Sequence, residues 1–516
     1  MTRMIWVLIA AAATVLVSVL VAVDRLPLGI SGEWTWGRVR TAAYWPETWG
    51  YSTAYVVFVV VAARWVGERP WLRRALLLAL VVASFTVGLA LQLPGYGPAK
   101  WAFVLFNPSS SGYYTAAKTH VTTPREFIGD YNRIQDEFLR DNGPYHLATH
   151  PPGLVLMHYA VLRWCERHPA WSRACLDAAP AGVRDGFAAL AGPSQPIPVA
   201  DQASRWLVGL FSQLACAATV IPIYLLARRV AGPQAAWWAA GLWPLVPATT
   251  IFMAKSDVLY PLFATTTVLF ALAGNRAASR VAGGLAAGLV LWLGMYFTVG
   301  LVPVIPLVAV AVMMTEGIRT RSSLVACIRL GAAMTAAFAV ATAAYVVVTG
   351  HDLTATWLNC FHAHAKFYER HPRSYWPWLG FDLAEFVVAL GLPLAVAAVA
   401  GIAQLACHRA NSASSSEGLE NVQCSDEAGP PRCRGLVWAW CLTLLALDLS
   451  GENLGEVARL WIFLMPFAVP AAAATIERLG HWAWPAFLLL ALQAGQTIVF
   501  AANIQGFIDP NSVILP

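Results

Sequence analysis

Apolar runs of near-spanning length recur along this chain, at roughly 4–23, 51–66, 73–93, 205–228, 232–252, 258–273, 280–297, 298–314, 325–348, 381–404, 435–449, 459–475 and 482–502. About twenty apolar residues in a helix cross the hydrocarbon core of a bilayer. Lipid offers the backbone no hydrogen-bond partner, so a spanning segment must satisfy its own peptide groups. The pattern predicts an all-α polytopic membrane protein with about thirteen transmembrane helices. Composition agrees, with 58% of the 516 residues hydrophobic and 12% charged, against about 25% charged in soluble domains. Mean hydropathy is +0.58. The 23 Trp residues suit anchoring at headgroup depth. Net charge is +6 and spread over many loops, so no nucleic acid partner is expected. The first run, Met4–Val23, is followed by no small-residue cleavage site and reads as a retained helix.

Short basic loops set the orientation. Arg64, Arg69, Arg73 and Arg74 crowd one turn, and Arg228–Arg229, Arg276–Arg280 and Arg319–Arg321 mark later ones. The positive-inside rule puts all of them in the cytoplasm. One helix then leads out and one returns between 64–74 and 228–231, which leaves all of 94–204 outside. The apolar piece 154–164 is too short to span and is expected to lie along the outer membrane surface. The same alternation puts 253–257, 349–380 and 450–458 outside, with the N-terminus in the cytoplasm and the C-terminus outside. The expectation is a multi-pass protein of the cytoplasmic (inner) membrane. It divides into an N-terminal transmembrane hairpin (1–70), a first core helix (71–93), a large outer loop with juxtamembrane helices (94–204), core helices (205–407), a low-complexity cytoplasmic linker (408–434) and C-terminal helices (435–516). Cys165 and Cys175 read either as a disulfide or as two free thiols, and Cys407, His408, Cys424 and Cys433 match no standard zinc spacing.

Four outer segments hold the unusual polar residues. In 107–153, Asp130, Asp136 and Glu137 could serve as a general base or hold a divalent cation. They could equally form the wet face of an amphipathic helix, since Phe127, Tyr131, Ile134 and Phe138 recur at helical spacing. The segment closes on His150-Pro151-Pro152-Gly153, a rigid entry into the next helix. Lys255-Ser256-Asp257 stands at a helix boundary, where Ser or Asp is also an ordinary cap. Between His351 and Asp382, Arg373 and its aromatic neighbours suit a lipid phosphate, whereas His362 and His364 read as loop residues. In Gly451–Trp461, Arg459 at the outer mouth of an apolar helix needs a partner, either Glu456 or an anionic ligand.

Taken together these residues resemble the GT-C glycosyltransferases, the polytopic superfamily of protein O-mannosyltransferases and aminoarabinose transferases. The resemblance rests on a large first outer loop with acids, His150-Pro151-Pro152 opening a surface helix, Tyr224–Arg229 ending the next span, and Asp257 in the second outer loop. The Gly-Glu-Trp-Thr-Trp near residue 32 and the Gly-Glu-Val-Ala-Arg-Leu-Trp at 455–461 resemble uncharacterised bacterial branches. The hairpin 4–66 is then an N-terminal addition to the core. Where the family has an acidic pair, this chain has Ser109-Ser110-Ser111.

The resemblance implies a GT-C-like fold and transfer of a sugar from a polyprenyl-phosphate donor to a lipid, protein or glycan acceptor at the outer face. It implies Asp130 as base or cation-holding carboxylate, supported by Asp257, with His150 lining the site. Lys255, Arg373 and Arg459 would neutralise the phosphate, and Tyr131 and Glu456 complete the substrate-binding set. No cofactor is implied with certainty; a divalent cation is left open. The alternatives are a lipid transporter or flippase, and an inactive protein of the same fold.

Overall fold

Interior prolines decide how far each apolar run continues as one helix, because each removes a backbone donor and crowds the preceding turn. The computed structural model describes residues 2–39, 46–106, 110–140, 145–191, 196–273, 277–316, 320–414, 434–480 and 483–506. Among these, six helices are long and apolar enough to cross a membrane: Met4–Ala22, Pro70–Ala90, Val199–Ala227, Ala278–Phe297, Arg321–Thr349 and Ala483–Asn503. A bent pair, Tyr375–Leu390 and Leu392–Cys407 at 111°, raises the number to seven if it counts as one span. The chain is an all-α polytopic membrane protein, with fewer full-length spanning helices than the thirteen runs suggested.

Part of the difference is length, since Pro46–Ala62 and Arg434–Ser450 have 17 residues each, and part lies where proline falls inside a run. The run 232–252 contains Pro244 and Pro247 and is built as Pro233–Ala240, Trp243–Leu245 and Pro247–Ile251. The run 459–475 contains Pro466 and Pro470 and is built as Val457–Leu460, Ile462–Phe467 and Ala468–Arg478. Near Pro303 the run 298–314 breaks into Val299–Leu301 and Val304–Glu316. The first two of these segments are almost wholly buried, so protein neighbours rather than lipid meet their irregular backbone.

The bend at Gly391 has the same solution. Gln493 and Gln496, on Ala483–Asn503, reach the freed peptide groups: Gln493 Nε2 donates to Leu390 O at 2.8 Å, Leu392 N donates to Gln496 Oε1 at 2.8 Å, and Leu394 N donates to Gln493 Oε1 at 3.2 Å. Thr2–Ala22 lies at the edge, packed on Leu392–Ser414 and Ala483–Asn503. Pro46–Ala62 packs on Pro70–Ala90 and Ala483–Asn503. Both N-terminal helices therefore pack against the same late helix, Ala483–Asn503.

Among the described residues of 94–204, eight helices of at most fifteen residues precede Val199–Ala218, the longest being Gly153–Arg167. None is long enough to span. Cys165 and Cys175 are free thiols. Residues 415–433, most of the expected linker together with Cys424 and Cys433, lie outside the described residues. Among the described residues there are also two small antiparallel ribbons: Gly29–Ile30 with Trp34–Thr35, and Gly37–Arg38 with Ile504–Gln505.

Candidate functional site

Two sequence motifs are held rigid by buried neighbours. The turn before His-Pro-Pro-Gly is pinned by the amphipathic helix Tyr131–Arg140, whose apolar face is buried. Tyr131 donates its hydroxyl to His150 O at 2.7 Å and Leu147 O at 3.2 Å, and Gln135 donates to Ala148 O at 2.7 Å. Pro152 then starts the helix Gly153–Arg167. A Cβ at Gly153 would stand 2.4 Å from Tyr296 O, so only glycine permits this close approach. His150 Nδ1 lies 2.9 Å from His146 O. A carbonyl can only accept, which assigns the proton to Nδ1 and leaves Nε2 as an acceptor. The Tyr113 ring meets the imidazole edge-on at 5.7 Å.

The second motif is Gly451–Trp461. Its backbone is fixed by groups of the helices Leu353–Arg370 and Tyr375–Leu390. Gly455 N donates to Asp382 Oδ1 at 2.8 Å, Ala458 N to Glu385 Oε1 at 2.9 Å, and Leu454 N to the Tyr368 hydroxyl at 3.0 Å. Arg373 donates to Leu454 O. Gly455 and Glu456 both have left-handed backbone, with φ of +75° and +59°. For Glu456 that conformation is strained. It is held because the carboxylate is clamped by Arg373 at 3.2 Å and by Arg459 at 2.8 Å.

Both motifs open onto one cavity of about 2010 Å³, well above the roughly 300–1,000 Å³ of drug-sized pockets. Each of the four segments that charge counting assigned to one side contributes to its lining: His150, Lys255 with Asp257, Arg373, and Glu456 with Arg459. Its lining also holds an apolar set, Pro306 and Val310 from one helix with Val302 just before it, and Leu442, Ala446 and Leu447 from another. The helices bearing them, Val304–Glu316 and Arg434–Ser450, pack side by side. The space thus joins a charged head to an apolar groove.

Burial tunes the polar end. Desolvation pushes the Lys255 ammonium down to about 7, with Arg459 adding to the effect and Asp257 and Glu456 opposing it. It lowers His150 to about 4 despite nearby Asp257, so the imidazole is neutral at neutral pH. Desolvation raises the Tyr113 phenol well above its usual value, with Tyr260 and Asp257 adding to the rise; Ser256, its hydrogen-bond partner, opposes it. Burial alone would raise Glu456, yet Arg459, Arg373 and Lys255 outweigh it and hold the carboxylate below its usual range.

Not all the expected site residues gather here. His150, Asp257, Lys255, Arg373, Glu456 and Arg459 line the cavity, but Asp130 and Tyr131 do not. Asp130 has a side chain 60% exposed and pairs with Arg133 at 2.8 Å. Asp136 and Glu137 are exposed on the same wet helix. These acids follow the amphipathic pattern, and Tyr131 faces inward as a buried positioning group. Ser110 and Ser111 line the cavity, and Ser109 lies outside the described residues. Among the described residues no three His, Cys, Asp or Glu are grouped to hold a metal ion.

The structure also adds residues that sequence reasoning passed over. Tyr113 was visible only as part of a Ser-Gly-Tyr-Tyr string, yet it stands against His150 and Ser256. Trp34, Thr35 and Trp36, from the hairpin loop, form part of the wall. Their signal was the Gly-Glu-Trp-Thr-Trp string, two indoles in a polar loop.

No family model matches the sequence. No curated protein matches it either. Among solved structures, the chain is similar to the crystal structure of the Archaeoglobus fulgidus oligosaccharyltransferase tethered by a disulfide bond to an acceptor peptide containing the NVT sequon. That similarity has a TM-score of 0.44 and 13% sequence identity, over 87% of this chain. The chain covers 57% of the length of that protein.

Proposed function

We propose that this chain is an integral-membrane glycosyltransferase, moving a sugar from a polyprenyl-phosphate donor to an acceptor hydroxyl at the outer face of the cytoplasmic membrane. One observation carries the reading: a single large cavity joins a cationic, carboxylate-bearing end to an apolar groove between two helices. An isoprenoid chain fits the groove, and its phosphate meets Lys255 and Arg459. Glu456 is clamped by Arg373 and Arg459, whereas Asp257 stands where its charge acts on His150, Lys255 and Tyr113. In the proposed step Asp257 takes the proton from the acceptor hydroxyl. The acceptor oxygen forms a bond to the anomeric carbon as the bond to the phosphate oxygen breaks, with inversion. Polyprenyl phosphate leaves with the bonding pair, and the cations stabilise its growing charge. Neutral His150 offers a hydrogen-bond acceptor beside the reacting groups. Arg373 acts through Glu456, by fixing the loop that carries Arg459.

The test uses the full chain in lipid nanodiscs with a panel of radiolabelled undecaprenyl-phosphate sugars. Asp257→Asn should lower transfer by roughly 10²–10⁴-fold, the scale of a lost general base. Asp130→Asn should leave the rate unchanged. Transfer that survives Asp257→Asn intact sinks the assignment of the base, and absence of transfer from every donor by the native chain sinks the enzyme reading.

A further inference from the structure

The loop 29–38 deepens this reading, on which it rests, by supplying a sugar-facing wall. It is built with several restraints. Gly29–Ile30 pairs with Trp34–Thr35, so the turn is closed by its own ribbon. Gly37–Arg38 pairs with Ile504–Gln505, which ties the far side of the loop to the end of the helix Ala483–Asn503. Arg38 is fixed in turn by Leu26 O at 2.7 Å and Asp24 at 2.9 Å. Between the two ribbons Glu33 makes the long-range connection. Its carboxylate accepts from Ser374 N at 2.8 Å, from the Ser374 hydroxyl, and from Trp378 Nε1 at 2.7 Å. These partners lie more than three hundred residues away in sequence and start the helix that carries Asp382 and Glu385.

The result of this fastening is the position of Trp34. Trp36 and Trp378, its ring neighbours at 6.1 and 6.3 Å, are only 5% and 0% exposed. Trp34 itself keeps partial exposure and lines the cavity. The cavity lining also carries hydrogen-bonding groups: Thr35 and Gln505 from the two ribbons, and His364 and Asn453. A rigid indole with accessible surface, with the Arg373 guanidinium 5.8 Å from its ring centroid, suits the two faces of a pyranose, apolar C–H groups above and hydroxyls and phosphate at the edge. The apolar groove proposed for the isoprenoid is lined by other residues, Val302, Pro306, Val310, Leu442, Ala446 and Leu447.

We propose that Trp34 is a specificity-determining residue that stacks on the sugar ring of the donor, and that Glu33 is the positioning residue that holds it there. The experiment measures binding of undecaprenyl phosphate bearing glucose, mannose or galactose, and of bare undecaprenyl phosphate, to the full chain in nanodiscs. The native chain should bind at least one sugar-bearing lipid more tightly than the bare one. Trp34→Ala should weaken that sugar-bearing lipid by roughly three- to ten-fold, the scale of one aromatic contact, and leave the bare lipid unchanged. Trp34→Phe should recover most of the loss, which also guards against a folding defect. Glu33→Ala should reproduce the sugar-selective loss, and Glu33→Gln, which keeps one acceptor, should recover part of it. Equal weakening of both lipids, or no weakening, overturns the proposal while leaving the glycosyltransferase reading intact. A native chain that binds neither lipid overturns both.

Discussion

Lys255 carries the clearest pH signature of the cavity. It is 5% exposed, and burial lowers its ammonium to about 7. The cation is therefore present below that pH and is lost as pH rises through it. A sugar phosphodiester keeps one negative charge across the same range, so a titration in its binding belongs to the protein. Affinity for an undecaprenyl-phosphate sugar should fall by up to about tenfold per pH unit above neutrality. Lys255→Arg should flatten that profile, because a guanidinium stays charged. Isothermal titration at several pH values checks this, and an unchanged slope in the variant would assign the effect elsewhere. At this scale the resemblance implied Asp130 as the base with Asp257 only in support, and Asp136 and Glu137 stood on the same stretch. A helix face separates them: with Phe127, Tyr131 and Phe138 buried, the acids at the intervening positions must point to water. Which other loop comes near that helix is not written in its own periodicity.

The bend at Gly391 shows what holds an element together inside a membrane. Its freed backbone groups receive Gln493 and Gln496 from a neighbouring helix. Gln493→Leu keeps the size and removes both the donor to Leu390 O and the acceptor for Leu394 N. Each group left unpaired in an apolar interior should cost roughly 1–3 kcal/mol. Thermal unfolding of the purified protein in detergent should therefore shift clearly downward, and an unshifted transition would mean the bend needs no such support. The apolar runs made the existence of helices legible, since hydrophobic length alone specifies a membrane segment. They overstated the number of full spans. A proline-broken run and an intact one have similar hydropathy, and only the neighbours available to satisfy the break decide whether the chain continues as one helix. The glutamines that do so belong to the last spanning run, about a hundred residues from the bend.

Across the whole molecule, the two ends of the cavity divide between helices that are far apart in the chain. If the groove between Val304–Glu316 and Arg434–Ser450 holds the isoprenoid, a photoreactive group at the tail end of an undecaprenyl phosphate should label those two helices. It should spare Val347 and Val348, which are 84% and 79% exposed on another helix. Mass spectrometry of cross-linked peptides reads the result, and uniform labelling of all exposed apolar helices would remove the groove from the donor path. The sequence by itself determined the class of protein, the polar character of 94–204 and the short, non-spanning nature of 154–164. Each follows from local hydrophobic length and charge, which need no partner to be read. It also marked most residues of the charged end, because Lys255, Asp257, Glu456 and Arg459 are conspicuous wherever apolar runs surround them. Only the tertiary structure decided that these residues share one cavity, that Asp130 stands outside it, and that the N-terminal hairpin lends Trp34 to its wall. Those outcomes depend on contacts between segments hundreds of residues apart, such as Glu33 with Ser374 and Trp378, and such pairings leave no periodic trace along the chain.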